Sequence, residues 1–359
     1  MKAAVLHEAG RPLTIEDVVL DAPRADEVRV RVTASGLCHS DYHFMVGDLT
    51  CPLPAVLGHE VSGVVEAVGA AVRDVRPGDA VVTCLSGFCG ECGQCQTGHT
   101  HRCDAKPGRP ATPGDARITL GGKPVYQFGG LGGFAEEVLV HAHSVVKLPD
   151  AMPVDVAALL SCGVLTGVGA VVNSAQVRPG QTVAVIGCGG VGLNAVQGAR
   201  IAGASRIIAV DLNPAKLELA KSFGATDLVI GGDTAATEVV ELTGGGVDYA
   251  FEVIGLAQTA RQALMMLRKG GAVVLVGLPK AGAEYSFPAS VFLPKEARII
   301  GSMMGSAPFQ LMAPMLAGLY LDGRLKLDAL ISQRIALGDI NRGYEQLAAG
   351  EVARSLITF

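Results

Sequence analysis

The stretch that decides the fold begins Thr182-Val183-Ala184-Val185-Ile186 and continues directly into Gly187-Cys188-Gly189-Gly190-Val191-Gly192. An Ala-rich segment follows these glycines, and a second apolar run, Arg206-Ile207-Ile208-Ala209-Val210, ends at Asp211. Glycines at this spacing between a strand and a helix are typical of a βαβ unit that binds a dinucleotide. They allow the tight turn, the close approach of a pyrophosphate and the close packing of the helix.

This stretch predicts how a dinucleotide would bind. A helix N-terminus carries unpaired N–H groups and the positive end of the helix dipole, and both attract phosphate. Asp211 lies where an acidic residue accepts hydrogen bonds from the adenosine ribose, and its charge would repel a 2′-phosphate. We therefore predict NAD rather than NADP, with the pyrophosphate at Gly187, Gly189, Gly190, Val191 and Gly192.

The alternation of strands and helices continues beyond this unit. Asn213 and Pro214 are typical of a helix start, and Gly224 is typical of a helix end. Further strands are predicted for the apolar runs at residues 228–230, 247–253 and 272–276. The pattern indicates an α/β domain with a doubly wound parallel sheet of the Rossmann type, whose ligand lies at the carboxyl ends of the strands.

Length and composition limit the remaining possibilities. A chain of 359 residues exceeds what one hydrophobic core usually fills, so we expect two domains. The net charge of −5, the absence of Trp and the lack of a Lys- or Arg-rich run argue against nucleic acid or a membrane as the partner. They favour a small polar molecule. The N-terminus reaches charged residues too early for a secretory apolar region, so a cytoplasmic protein is expected.

The other domain is predicted to be mostly β. Residues 28–33 alternate Val with Arg or Thr, which is typical of a half-buried strand, and residues 61–68 indicate another. Short strands separated by glycine turns indicate a barrel-like domain. Because this pattern returns near the C-terminus, we assign residues 1–163 and 304–359 to it and residues 164–303 to the dinucleotide-binding domain.

Two further segments have simpler interpretations. Residues 107–123 are rich in Gly, Pro and Arg and are predicted as a surface loop. Residues 156–172 approach the length of a membrane span, but polar residues and glycines interrupt them. A buried helix pair is the better interpretation of this second segment.

The chain has nine cysteines, an odd number that in a reducing compartment suggests metal ligands before disulfides. Four thiolates at short spacing can enclose one tetrahedral zinc ion with no open position, as in a structural site. Unrelated buried thiols are the alternative, but the segment is polar and Gly-rich. His99 or His101 could replace the fourth thiolate, and the acidic balance disfavours a zinc ribbon for nucleic acid. The clustered cysteines are Cys89, Cys92, Cys95 and Cys103.

A second group of metal-ligand residues is spread along the chain. Cys38 and His59 are unremarkable when taken alone, because buried Cys is common and a lone His usually has a structural role. A catalytic zinc ion, however, takes three protein ligands and leaves one position open. Cys162, in the apolar helical segment, is the natural third ligand beside Cys38 and His59.

The motifs together resemble those of the zinc-dependent medium-chain alcohol dehydrogenases, in the liver-type and class III branch. The resemblance covers nearly the whole chain in order. It is carried by Cys38-His39-Ser40-Asp41, Gly58-His59-Glu60, the clustered cysteines, Cys162-Gly163, Thr166-Gly167, the glycine-rich stretch with Asp211, and Arg354. The Cys₂His zinc site of alcohol dehydrogenase is an established ligand set, so the resemblance supplies it rather than the spacing.

The resemblance implies a fold, two metal sites and further site residues. The fold would be a Rossmann domain plus a mostly β, GroES-like catalytic domain. Two Zn²⁺ ions per chain would be held, the catalytic one by Cys38, His59 and Cys162 and the structural one by the clustered cysteines. Other roles would fall to Ser40 at the substrate oxygen, His43 at the end of the proton path, Asp41 as acceptor from His59, and Glu60 behind the zinc. NAD would also contact His39, Lys216 and Arg354.

The implied activity is the reversible transfer of a hydride between an alcohol and NAD, giving an aldehyde or a ketone. Apolar residues would line the pocket and favour medium or bulky apolar or aromatic alcohols; these are Leu85, Phe128, Phe134, Leu278 and Met303. Residues 286–301 could extend a sheet across a two-fold axis, so a homodimer or homotetramer is expected.

Three alternatives stay open. Glutathione-dependent formaldehyde dehydrogenases carry an acidic residue near the position of Leu49, whereas in this chain Asp48 lies one place before it. They also usually lack a histidine at the position of His43. A relative that keeps NADH bound and uses an external electron acceptor is equally compatible with the motifs. An inactive zinc-binding structural protein is the third, and the intact ligand set and Ser40 argue against it.

Overall fold

The apolar runs on both sides of the glycine-rich stretch form parallel strands in the computed structural model of the chain. The structure describes residues 1–108 and 115–359. They fall into two units, the first formed by Met1–Cys162 with Pro308–Phe359 and the second by Gly163–Ala307.

The described strands and helices are as follows. In chain order, the strands are β1 (Lys2–Leu6), β2 (Thr14–Asp17), β3 (Val19–Leu20), β4 (Glu27–Gly36), β5 (Ala55–Val56), β6 (Glu60–Val68), β7 (Ala80–Thr83), β8 (Ile118–Leu120), β9 (Lys123–Gln127), β10 (Glu137–His141), β11 (Val145–Lys147), β12 (Thr182–Ile186), β13 (Arg206–Asp211), β14 (Asp227–Ile230), β15 (Val247–Glu252), β16 (Leu267–Leu275), β17 (Arg298–Gly301), β18 (Ile331–Ile335) and β19 (Arg354–Thr358). The α-helices are α1 (His39–Val46), α2 (Gly93–Gln96), α3 (Val154–Ala157), α4 (Gly163–Gly169), α5 (Gly190–Ile201), α6 (Pro214–Phe223), α7 (Ala235–Thr243), α8 (Ala257–Met266), α9 (Ala289–Lys295), α10 (Phe309–Leu321) and α11 (Ile340–Ala348). Short 3₁₀ turns include Thr100–Arg102, Phe128–Gly130, Ala142–Ser144, Ala158–Ser161, Met304–Ser306, Asp328–Leu330 and Leu337–Asp339, and a π-helical turn, Ala170–Ala175, follows α4.

The sheet of the second unit is parallel throughout, with the strand order β14-β13-β12-β15-β16-β17. Its central strands are runs of Val, Ile, Ala and Phe that are almost entirely buried, which is typical of parallel sheets covered on both faces. The strands predicted in this unit are confirmed, although β16 begins at Leu267, earlier than the apolar run indicates.

Helix α6 begins and ends where the sequence predicts. The side chain of Asn213 accepts a hydrogen bond from the Ala215 N–H, 2.9 Å away, and Pro214 is the first helical residue. These two features are typical of a helix N-terminus. Gly224 follows the last helical residue with φ +120°, a conformation that other residues rarely adopt.

The first unit contains two sheets. The larger has the strand order β11-β7-β6-β4-β19-β18, and β10 also pairs with β4. The central strand β4 contributes Val28, Val30 and Val32 to one hydrophobic core, which explains the alternation in the sequence. Near the C-terminus, β19 pairs with β4, with Leu356 opposite Gly36, so this segment completes the sheet. The smaller sheet has the order β2-β1-β5-β9-β8-β3.

The loop predicted for residues 107–123 is partly wrong. Residues 118–120 form β8, which pairs antiparallel with β9, and Ile118 and Val125 are fully buried. Three residues of alternating polarity are too short a pattern to distinguish from loop, and burial against the core decides their structure. Residues 109–114 of the same prediction lie outside the described residues.

The apolar segment predicted as a buried helix pair is helical and buried. Every residue from 156 to 171 is buried. No single helix within the described ranges is long and apolar enough to cross a membrane. Among the residues that the structure describes, only the broken pair Val154–Ser161 and Gly163–Ala175, taken together, meets the criteria of length and composition.

Candidate active site

Strands β4 and β6 and helix α1 bring together Cys38 and His59, two of the ligands predicted for the catalytic zinc ion. Cys38 lies between β4 and α1, and His59 directly precedes β6. The two strands pair antiparallel, with Gly36 opposite Glu60. Since one ligand follows the end of β4 and the other precedes the start of β6, both lie at the same end of the sheet.

Cys162 reaches the same place from a distant part of the chain. It follows the turn Ala158–Ser161, and the Ser161 hydroxyl accepts a hydrogen bond from the Val61 N–H at 3.1 Å and donates one to the Val61 carbonyl at 3.2 Å. Ser161 therefore holds Cys162 beside β6. Local sequence patterns miss this contact, because its partners are 100 positions apart.

Cys38, His59 and Cys162, which we term the buried cluster, fit a zinc ion. Their ligand atoms, together with one from Glu60, all lie within 4.8 Å of one another, and all four residues are buried. Two thiols and an imidazole are donors that zinc prefers, and three such ligands leave one tetrahedral position open. The residues could therefore hold a catalytic zinc ion.

The donors of the buried cluster interact electrostatically. The hydrogen bond between the thiols lowers the pKa of Cys38 well below its ordinary value and raises the pKa of Cys162 well above it. Burial disfavours a charged imidazole, but Asp41 and Cys38 together outweigh it, so the pKa of His59 is raised. The Cys38 thiol is therefore the donor of this cluster that ionises most readily, and a thiolate is a ligand for a bound cation.

Asp41 fixes the orientation of the His59 ring. Its Oδ1 accepts a hydrogen bond from the Gly58 N–H and lies 3.0 Å from His59 Nδ1. An ionised carboxylate only accepts, so Nδ1 donates and Nε2 is left to bind a metal. Burial raises the pKa of Asp41, and the interaction with His59 opposes this.

Glu60 and Arg354 form a buried ion pair next to the buried cluster. Arg354 Nη1 lies 3.2 Å from Glu60 Oε1 and also donates to the Leu37 carbonyl at 3.3 Å. Burial raises the pKa of Glu60 to about 7, while Arg354 lowers it. A Cβ at Gly36 would lie 2.2 Å from Glu60 Oε2, so the pair needs glycine there. A contact of Arg354 with a pyrophosphate stays a prediction.

Helix α1 carries the residues predicted for proton transfer. Ser40 Oγ lies 3.7 Å from Cys38 Sγ, at the edge of the buried cluster. His43 is three residues further along the helix, and residues at this spacing share a helix face. Its Nδ1 lies 3.0 Å from Asp48 Oδ2, a partner that the sequence analysis did not assign. His39 is exposed at the start of the helix.

The four clustered cysteines, which we term the loop cluster, also come together. Their ligand atoms lie within 4.8 Å of one another, and Cys103 is the fourth donor rather than a histidine. The His99 ring instead contacts Thr97 Oγ1 at 3.1 Å. Backbone N–H groups lower the pKa of Cys92 to about 6, and burial raises that of Cys95 to about 12. Four thiolates fill a tetrahedral zinc site completely.

The glycine-rich turn has the backbone that a dinucleotide site requires. Gly187 has φ +100°, Gly189 is the N-cap of α5, and a Cβ at Gly192 would lie 1.8 Å from the Gly187 carbonyl oxygen. Asp211 also stabilises the turn, because its Oδ2 accepts a hydrogen bond from the Cys188 N–H at 2.7 Å. This second role of Asp211 is not visible in the sequence. Lys216, in the first turn of α6, is half-buried.

The residues predicted to line the pocket have different environments. The centre of the Phe128 ring lies 5.9 Å from that of the His59 ring and 4.5 Å from that of the Phe44 ring. Phe44 was not predicted at the site, because no local sequence pattern distinguishes it. Phe134 is fully buried and packs edge-on against Tyr344 in the core, so its place in the pocket stays a prediction. Leu85 is half-buried, as is Leu278, and Met303 is 59% exposed.

Comparison with known proteins decides the family. The chain is 40% identical over 367 residues to "Alcohol dehydrogenase class-3" of Oryza sativa subsp. japonica, covering 99% of this chain and 96% of that protein. Family models described as "Alcohol dehydrogenase GroES-like domain" and "Zinc-binding dehydrogenase" match residues 24–150 and 190–318. The chain belongs to the zinc-dependent medium-chain alcohol dehydrogenase family.

Solved structures of similar proteins agree with this family. The benzyl alcohol dehydrogenase of Acinetobacter calcoaceticus has a TM-score of 0.94 and 33% identity, covering 100% of this chain and 99% of its own. A putative zinc-binding dehydrogenase of Sinorhizobium meliloti 1021, bound to NADP, has a TM-score of 0.82 and 30% identity with the same coverage. The predicted fold, a GroES-like catalytic domain plus a Rossmann-like domain, is confirmed. The chain is an oxidoreductase of the zinc-dependent alcohol dehydrogenase type, and NAD(P) and zinc are its family's cofactors.

Proposed function

We propose that this chain transfers a hydride between an alcohol and NAD, giving an aldehyde or a ketone in a reversible reaction. The observation that carries the proposal is the buried cluster with Ser40 beside it. A zinc ion held by the three side chains would act as a Lewis acid toward the substrate oxygen, and NAD would take the hydride. The Cys₄ donor set of the loop cluster would hold a second, structural zinc ion.

The residues of α1 would move the proton that the alcohol loses. The Ser40 hydroxyl can accept one proton while donating its own, since it has one O–H and two lone pairs. His43, one turn along the helix and 19% exposed in its side chain, would receive the proton and release it to water. Asp41 would keep the His59 ring turned so that Nε2 serves the metal.

Asp211 supports NAD rather than NADP as the cofactor. Its carboxylate lies at the end of β13 beside the glycine-rich turn, where a negative charge would repel a 2′-phosphate. We expect Asp211→Gly to raise kcat/KM with NADP by about tenfold or more, equivalent to about 1.4 kcal/mol. Asp227→Asn, which changes a carboxylate on the neighbouring strand β14, should leave the preference unchanged. If Asp211→Gly has the same kcat/KM as the parent with NAD and also with NADP, this role of Asp211 is contradicted.

The substrate is proposed to be a medium or bulky apolar or aromatic alcohol. The aromatic rings of Phe128 and Phe44 beside the buried cluster support an apolar partner. The similarity to a benzyl alcohol dehydrogenase favours the same class. A panel from ethanol to benzyl and longer alcohols tests this, because turnover that falls steadily with size would contradict it.

One combined measurement tests the activity itself. We expect about two zinc ions per chain by mass spectrometry, together with NADH formation from added alcohol and NAD. Zinc without NADH formation would favour a structural protein. NADH that forms in a single turnover and stays bound would favour the relative with an external acceptor.

Two further features of the chain bear on the remaining proposals. Asp48 contacts His43 and so is engaged within the chain, which weakens the glutathione-dependent alternative.

The sheet of the second unit ends at β17, whose Ile299 is 41% exposed, and an exposed edge strand supports pairing with a second copy. A homodimer or homotetramer is therefore proposed, and light scattering after gel filtration tests it.

A further inference from the structure

His43 and Asp48 are brought together by the way helix α1 ends. Gly47 follows the helix with φ +85°, and the Leu49 N–H donates a hydrogen bond to the His43 carbonyl at 3.1 Å. This reversal of the chain turns the intervening carboxylate back toward the ring. Asp48 Oδ2 then lies 3.0 Å from His43 Nδ1, and the two side chains are 20% and 19% exposed.

The chemistry of this contact determines how the ring is protonated. An ionised carboxylate has no proton to donate, so Nδ1 must be the donor and Nε2 keeps its lone pair in the neutral ring. A carboxylate that holds an imidazole in this way fixes both its tautomer and its orientation. The chain uses the same arrangement at Asp41 and His59, with the same 3.0 Å distance. There, however, the ring serves the buried cluster.

We propose that Asp48 is a positioning residue for proton transfer through His43. The inference rests on the proposed function, in which the oxidation of each alcohol by NAD releases one proton. Along that proposed path the proton leaves by way of the Ser40 hydroxyl and reaches His43 Nε2, and the ring becomes an imidazolium with Nδ1–H still directed at Asp48. Solvent water then removes the proton from Nε2 and restores the neutral ring. Asp48 keeps its charge throughout and contacts neither substrate nor cofactor.

The kinetic test combines variants of the two residues. Asp48→Asn keeps the shape of the side chain and removes its charge, and we expect kcat to fall on the order of tenfold, with the KM values for alcohol and NAD within about twofold. His43→Gln should lower kcat at least as much. The double variant should be no slower than His43→Gln, because Asp48 acts only through His43.

A third histidine–carboxylate pair, away from the buried cluster, provides a control. His141 Nε2 lies 3.3 Å from Asp26 Oδ2, and the ring is 13% exposed. Asp26→Asn should leave kcat unchanged. The inference is overturned if Asp48→Asn behaves like this control while His43→Gln is slow, or if the effects of Asp48→Asn and His43→Gln are additive. If His43→Gln is as fast as the parent, the proposed proton path fails, and the inference fails with it.

The tautomer of His43 gives a readout that does not depend on turnover. In protein labelled with ¹⁵N-histidine, the His43→Gln spectrum identifies the signal of His43 among the eight histidines. We expect a neutral ring protonated at Nδ1 in the parent and loss of that preference in Asp48→Ala, with an unchanged melting temperature. A parent ring protonated at Nε2 would overturn the inference.

Discussion

The buried cluster and the loop cluster contain similar donors in different surroundings. Around the buried cluster lie the side chains of Asp41, Glu60 and Arg354, all of them buried and charged or titratable. The sulfurs of the loop cluster are hydrogen-bonded mainly to one another and to backbone N–H groups, such as those that Cys89 Sγ accepts from Glu91 and Cys92. Its residues come from a single short segment, whereas those of the buried cluster come from three.

The difference indicates what each cluster is for. Burying charged groups costs free energy, and proteins keep such groups mainly where they orient ligands or tune chemistry. Three donors leave a fourth position of a tetrahedral ion for a reactant, whereas four thiolates leave none. The comparison therefore favours catalysis at the buried cluster and stabilisation at the loop cluster.

The largest expected effect is at the buried cluster. Cys38→Ala should reduce kcat on the order of a thousandfold or more, because only two ligands would remain for the zinc ion, and the zinc content should fall from about two ions per chain to about one. Steady-state kinetics and elemental analysis measure this. Cys51→Ala, which alters a half-buried cysteine outside both clusters, is the control and should retain activity. A rate for Cys38→Ala within tenfold of the parent would reject the assignment.

An intermediate effect is expected for Gly36→Ala. The added Cβ would meet Glu60 Oε2 at 2.2 Å and displace the ion pair with Arg354, at a cost of about 1–3 kcal/mol. We expect kcat to fall on the order of tenfold while the zinc of the loop cluster is retained. Gly93→Ala is the matched variant in the loop cluster, where a Cβ would meet nothing within 4 Å, and it should change neither activity nor stability appreciably. Equal behaviour of the two variants would remove the distinction between the clusters.

The smallest effect on turnover is expected for Cys103→Ala. Losing one of four thiolates should release the structural zinc ion and lower the Tm by about 5 °C or more. Folded protein at low temperature should keep kcat within about twofold of the parent. Calorimetry and kinetics on the same preparation measure both quantities. A large loss of kcat without a change in Tm would show that the loop cluster takes part in catalysis.

Part of the structure follows from local sequence because it depends on neighbours in the chain. The strands β12 to β15 and the ends of α6 were predicted closely, since apolar runs, Asn213-Pro214 and Gly224 act within a few residues. The short strand β8 was missed, because three residues of a hairpin take their structure from the core on which they pack.

The candidate site shows the same division. The residue types and order of its ligands are visible in the sequence, and the resemblance supplied their roles. The contact between Ser161 and Val61, the tie between Asp211 and Cys188, and the pairing of His43 with Asp48 were not visible. Each joins side chains to groups that only the folded chain brings within hydrogen-bond distance.

By itself, the sequence determined which residues can bind a metal or a dinucleotide, the period of the longer apolar strands, and a resemblance to the family. Tertiary structure alone decided which donors are buried, which carboxylate orients which imidazole, and where a side chain larger than glycine would collide with Glu60. The physical reason is that donor chemistry and backbone propensity belong to single residues. Burial, electrostatic shifts and hydrogen-bond partners, in contrast, depend on atoms that are far apart along the chain and meet only when it folds.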